Sequence, residues 1–131
     1  MTKLPQQSAN VLLVEDDNFL AQIYKKRFEL AGYKVTLAEN GEVGLVEVKK
    51  KRPDIILLDI LMPLMDGFAV LVQLKENPDW ATIPVVMLTN LGQKEDVEKG
   101  FALGAEDYLI KAHFKPSETV AKVQAILAKH A

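Results

Sequence analysis

Val11-Leu12-Leu13-Val14-Glu15-Asp16-Asp17 is the stretch that decides the fold. Four apolar residues without a break, stopped by three acids, read as a strand buried on both faces with an abruptly polar carboxyl end. Ile55-Ile56-Leu57-Leu58-Asp59 repeats the design, and Pro84-Val85-Val86-Met87-Leu88-Thr89 repeats it with a hydroxyl at the end. Lys34-Val35-Thr36-Leu37-Ala38 and Tyr108-Leu109-Ile110-Lys111 read as two shorter strands.

Between these runs the apolar spacing changes to that of helices. Leu20, Ile23, Tyr24, Phe28 and Ala31 fall at helical offsets, with Asp17 or Asn18 able to cap the start and Gly32 ending the segment. Asn40-Gly41 turns into a helix reaching about Lys51, with Leu45 and Val48 inward and Gly44 costing about 1 kcal/mol relative to Ala. Asp66-Gly67 opens a third helix carrying Phe68, Leu71 and Val72, closed near Asn77-Pro78. Gln93 to Leu103 is helical but poor in apolar residues and contains Gly100, and Pro116 starts a last helix with Val120, Val123 and Leu127. Five strands alternating with five helices require a parallel sheet covered on both faces.

The chain has 131 residues, and 16 Lys+Arg against 18 Asp+Glu leave a net charge of −2. At about 150 residues per domain that length allows one domain. Residues 1–10 read as an N-terminal extension, 11–128 as the domain and 129–131 as a tail. Cysteine is absent, which excludes disulfides, thiolate zinc sites and a Cys nucleophile. The charge balance supplies no basic field for nucleic acid, and no apolar run approaches a membrane span. Met1 to Asn10 lacks the apolar stretch of a signal peptide, so a cytoplasmic location is expected.

In open α/β sheets, ligands bind beyond the carboxyl ends of the strands. Glu15, Asp16, Asp17 and Asp59 end two strands, Thr89 a third and Lys111 a fourth. Carboxylates about 4 Å apart repel by about 4 kcal/mol at an effective dielectric of 20, so one is protonated or a cation sits between them. Oxygen ligands without His or Cys favour Mg²⁺. The lysine and threonine point to an anion held beside it, and an Asp can be the nucleophile that forms an aspartyl phosphate.

These motifs resemble, in order and over nearly the whole chain, the receiver domain of two-component response regulators. The resemblance rests on Val14-Glu15-Asp16-Asp17, the run from Leu58-Asp59 to Asp66-Gly67, Leu88-Thr89, and the run from Gly104-Ala105 to Ile110-Lys111. It implies a flavodoxin-like sheet of order 2-1-3-4-5. It implies that Asp59 accepts the phosphoryl group from a sensor histidine kinase or histidine phosphotransfer protein. Asp17, Asp59 and the Leu61 carbonyl would ligate Mg²⁺ directly, Asp16 mainly through water. Lys111 would pair with phosphoryl oxygens, Thr89 would swing to them, and Tyr108 would follow inward. The fourth helix, fifth strand and fifth helix would form the face for a downstream effector or a second copy, with no direct nucleic-acid or membrane contact.

Taken alone, each residue has a plainer reading: Asp16 and Asp17 as helix caps, Asp59 as a turn residue, Thr89 as a strand residue, Lys111 as a surface charge and Tyr108 as packing. Their joint order overturns those readings. Glu15 reads as a helper or a solvated charge, His113 as a solvated loop residue and Trp80 as a packing anchor. An aspartyl-phosphate hydrolase would need a second Asp where Leu61 stands, and a flavin carrier would need a Ser, Thr and Gly-rich loop instead of Glu-Asp-Asp. A docking module without the chemistry would leave the intact constellation unexplained.

Two positions depart from the family pattern. Ala112 stands where proline usually follows the lysine. A cis bond to alanine costs about 2.5–4 kcal/mol, so the loop is either trans and reshaped or strained. Asn90 stands where a small residue usually follows the threonine, and its amide either narrows access or offers another donor. Leu61 and Leu91 are expected to hinder an attacking water and lengthen the life of a phosphorylated state.

Overall fold

Each apolar run is a strand, and each central strand is covered by helices on both sides. A computed structural model of the chain describes residues 9–130. Residues 1–8 of the expected extension and residue 131 of the expected tail lie outside the described residues. The order is β1 (Asn10–Val14), α1 (Asn18–Leu30), β2 (Lys34–Ala38), α2 (Gly41–Lys50), β3 (Ile55–Leu58), α3 (Gly67–Glu76), β4 (Val85–Thr89), α4 (Lys94–Ala102), β5 (Asp107–Ile110) and α5 (Pro116–His130). A single 3₁₀ turn, Lys111–His113, joins β5 to α5. The strands are all parallel and lie in the order β2-β1-β3-β4-β5, as expected.

The unbroken apolar runs are explained by the two layers. Val11 and Leu13 of β1, Ile55 and Leu57 of β3, and Val86 and Leu88 of β4 face α1 and α5. The alternate residues Leu12, Val14, Ile56, Leu58, Val85 and Met87 face α2 and α3. Every residue of β3 and β4 is buried, whereas edge strand β2 alternates between exposed and partly buried positions until Ala38. Burying each such aliphatic side chain contributes about 1.5–3 kcal/mol before chain entropy is counted. Ile23 departs from the expected buried set and is 40% exposed, on the outer side of α1 with Phe19 and Leu30. Leu45 and Val72 are only partly buried, whereas Gly44 lies against Val14 of β1 and Val70 against Gly41 of α2. A Cβ on Gly44 would lie 3.0 Å from Val14 Cγ2, so this glycine buys close approach of α2 to β1.

Three connections bring a strand end and a helix start together. Asp17, Asn40 and Asp66 have extended backbones and accept from the N–H three residues on, at 3.1, 2.9 and 2.9 Å. Such caps contribute about 1 kcal/mol each. Helix α4 has no side-chain cap at Gln93 and buries only Gly100 fully, which matches its poor apolar content and makes it the least anchored helix. The chain after Asp59 returns at once to Gly67, whose N–H donates to the Ile60 carbonyl at 2.9 Å.

That return sets the first prediction. A Cβ on Gly67 would lie 2.2 Å from the Asp59 carbonyl oxygen and 2.8 Å from Ile60 Cα, both backbone atoms that cannot turn aside. Gly67→Ala should lower stability by about 3 kcal/mol, measured by denaturant unfolding, although alanine is the better helix former. An unchanged or raised midpoint would contradict the packing described.

Candidate functional site

Strands β1 and β3 pair with Val14 opposite Leu58, so Glu15 and Asp59 leave the sheet side by side. Glu15 N–H donates to the Ala38 carbonyl at 2.9 Å, and Asp59 N–H to the Val14 carbonyl at 3.1 Å. The ladders therefore run one residue past the strands and fix both acids. Both are buried, Glu15 at 3% and Asp59 at 5% exposure. Lys111 follows β5, and its ammonium reaches back across the end of β4. It donates to Glu15 Oε1 and, at 3.0 Å, to Asp59 Oδ2. Asp59 Oδ1 accepts from Ile60 N–H at 2.7 Å, so both oxygens of this carboxylate are engaged.

Carboxylate oxygens of Glu15, Asp16 and Asp59 lie within 4.8 Å of one another. Asp16 is the exposed member, beside an open cleft of about 290 Å³ that Asn18, Glu39 and Val43 help to line. The structure places Asp17 elsewhere than the expected ligand set. Its Oδ1 accepts from Leu20 N–H as the cap of α1, and its own N–H donates to Glu15 Oε2 at 3.0 Å. The cap reading considered for this acid is the one observed. Glu15, read from sequence as a helper or solvated charge, is instead at the centre. The distinguishing signal was positional: the first acid past the apolar run still belongs to the sheet ladder, while the third precedes the helix.

The electrostatics point to a site short of positive charge. Burial pushes the Glu15 carboxyl above its ordinary 4.5, and the neighbouring Asp59 charge adds to this, against the lowering effect of the Lys111 hydrogen bond. Burial alone would pull Lys111 down. The hydrogen bond to Glu15 and the charge of Asp59 outweigh it and hold the ammonium above 10.5. Two of the three carboxylates thus share the one ammonium, and a hard cation among oxygen donors fits the remaining imbalance.

Thr89 is fully buried at the end of β4. Its hydroxyl oxygen accepts from Leu91 N–H at 3.2 Å, leaving the hydroxyl proton available for donation. The Leu91 carbonyl accepts from the Tyr108 hydroxyl. Leu91 therefore joins the two expected switch residues, one through its N–H and the other through its C=O. Tyr108 is buried, with its ring in the layer against α3 and α4. Leu61, two residues after Asp59, is 59% exposed, and Leu91 is partly buried. The chain has no cis peptide bond among the described residues, so the loop at Ala112 is trans and takes the form of the 3₁₀ turn. Asn90 contributes an acceptor to that loop, not a donor: its Oδ1 receives Ala112 N–H at 3.1 Å. His113 is exposed, as expected for a loop residue.

The Tyr108 ring occupies a notch that Gly100 provides. A Cβ on Gly100 would lie 2.8 Å from Tyr108 Cδ2. Burial, then the charges of Asp96 and Asp59, push the phenol from 10 up to about 12. Its contribution to stability is therefore complete below pH 10 and is lost as pH rises through about 12. Burial also raises Tyr24 and Tyr33, so we expect ultraviolet titration to show three late-ionising tyrosines, of which the component near 12 is lost in Tyr108→Phe. In Gly100→Ala the ring should leave the notch and its titration should return toward 10. An unshifted phenol in Gly100→Ala would show that the notch does not hold the ring.

A model of the response regulator receiver domain matches residues 11–124. The DNA-binding dual master transcriptional regulator RpaA of Synechocystis is 40% identical over 119 residues, covering 91% of this chain and 49% of RpaA. The chain spans about half the length of the curated relatives it matches. Among solved structures, the signal receiver domain of a signal transduction histidine kinase from Syntrophus aciditrophicus superposes with a TM-score of 0.84 at 36% identity, over 92% of this chain and 91% of that one. The Mn²⁺-bound form of response regulator Rcp1 gives 0.78 at 28% identity, over 90% and 91%. With the ordered sheet, the acidic edge and the lysine bridge, these likenesses show that the chain belongs to the response regulator receiver domain family, a module of phosphorelay signalling.

Proposed function

We propose that Asp59 accepts a phosphoryl group from the phosphohistidine of a sensor histidine kinase or histidine phosphotransfer protein. The added charge then resets the α4–β5–α5 face for a downstream effector or a second copy of the chain. One observation carries this reading: a buried strand-end carboxylate held by Lys111 on one oxygen and by Ile60 N–H on the other, beside two further carboxylates. In the transfer the donor's N–P bond breaks, an O–P bond to Asp59 forms, and imidazole leaves. We assign residues 11–128 to this unit and its action to the cytoplasm, without nucleic-acid or membrane contact. Among the described residues no helix is long and apolar enough to cross a membrane.

The donor set fits Mg²⁺. Asp16 and Asp59 are the direct ligands in this proposal, with the Leu61 carbonyl, and Glu15 acts through water. The mutual reach of the three acids supports this set, and the related Rcp1 has been solved with Mn²⁺. Asp17 is left out because its carboxylate is the helix cap. A bound Mg²⁺ supplies neutralising charge to the phosphoryl oxygens. Lys111 supplies the second cation, already placed on Asp59 Oδ2. Thr89 turns its hydroxyl to the new phosphoryl oxygens, loosening its contact with Leu91 N–H. Leu91 in turn holds Tyr108, so the event at Asp59 is transmitted toward α4. On α4, Lys94, Glu95, Glu98 and the half-exposed Phe101 face outward, while Lys99 lies over the Phe68 ring at 4.5 Å. Leu61 and Leu91 present apolar bulk to a water approaching the phosphorylated acid.

Incubation with acetyl phosphate followed by intact-mass measurement tests the reading. One phosphoryl adduct should form with Mg²⁺, be absent without it, and be lost in Asp59→Asn. No adduct on the wild type, or an equal adduct on Asp59→Asn, would contradict it.

A further inference from the structure

We propose that Asn90 is a positioning residue of this site, whose side chain clamps the turn carrying Lys111 to the loop carrying Thr89. This rests on the reading of Asp59 as phosphoacceptor.

The turn at 111–113 holds itself weakly. It is one turn of 3₁₀ helix without a side-chain cap, and its closing bond, from Phe114 N–H to the Lys111 carbonyl, is long at 3.4 Å. The first N–H groups of such a turn have no partner inside it. Asn90 Oδ1 supplies one, accepting from Ala112 N–H at 3.1 Å. Asn90 directly follows Thr89, and Ala112 directly follows Lys111. One side chain therefore links the neighbours of the two groups that meet the phosphoryl oxygens.

The two residues after Asn90 also rest on β5. The Leu91 carbonyl takes the Tyr108 hydroxyl, and a Cβ on Gly92 would lie 3.1 Å from Ile110 Cδ1. Residues 90 to 92 thus form a seam along β5 and the turn beyond it. Only the Asn90 contact reaches the far side of Lys111. Without it, the Lys111 main chain is free to shift while the ammonium stays on Glu15 and Asp59. With it, Lys111 keeps its stem in place as Thr89 moves. Asn90 and Ala112 act as a unit, because the clamp needs an amide acceptor at one position and a residue with an N–H at the other. Both are exposed, so the bond contributes to placement more than to stability.

A double-mutant cycle with Asn90→Ala and Ala112→Pro tests this, using acetyl phosphate at saturating Mg²⁺. Asn90→Ala should slow adduct formation by about three- to tenfold, the worth of one modest hydrogen bond. Its Mg²⁺ affinity and melting temperature should stay unchanged, while hydrogen exchange at the Ala112 amide accelerates. In the Ala112→Pro background the same substitution should change the rate by less than about twofold. An equal factor in both backgrounds would overturn the clamp and show that Asn90 acts by access alone. So would an unchanged rate, or unchanged Ala112 exchange. If the wild type forms no adduct, the phosphoacceptor reading fails, and Ala112 exchange still decides whether the clamp exists.

Discussion

Three carboxylates crowded at one sheet edge, with a single ammonium among them, form the constraint on which the rest of this molecule depends. Parallel strands with no alternation bury their side chains on both faces, so polar groups are forced to the strand ends. The 2-1-3-4-5 order then places the ends of β1 and β3 next to each other and brings Lys111 within reach across β4. Burial makes the Glu15 and Asp59 charges costly, and their ion pairs with Lys111 offset that cost only in part. A site arranged this way is prepared for added positive charge and for an anion to follow it.

The same edge explains how a local event can travel. Thr89, Leu91 and Tyr108 are joined by hydrogen bonds through one peptide segment. Tyr108 in turn rests against Gly100 on the helix with the fewest buried residues. Helix α3, with its return contact from Gly67 to Ile60, is tightly packed, whereas α4 buries only Gly100 fully.

The strands were legible in the sequence because buried parallel strands leave unbroken apolar runs, while their order was implied by the resemblance to the receiver family. The helices were legible from their caps and spacing. Asp59, Thr89 and Lys111 could be named because each ends such a run. The division of labour among Glu15, Asp16 and Asp17 was not legible. Three consecutive acids look alike, and only the backbone decides which continues the ladder and which caps the helix. Asn90 was visible as a departure, but its role needed the position of Ala112, 22 residues further along. The outward placement of Ile23 was hidden because Phe19, Ile23 and Leu30 share helical spacing with the buried set.

The central claim is that the Asp59 carboxylate, and no other acid of the cluster, carries the phosphoryl group. Borohydride reduction of the phosphorylated protein converts an acyl phosphate to the alcohol, marking that residue permanently for peptide mass mapping. The account predicts homoserine at position 59 alone. A mark on Glu15 or Asp16, or none on a protein that carries the phosphoryl mass, would contradict it.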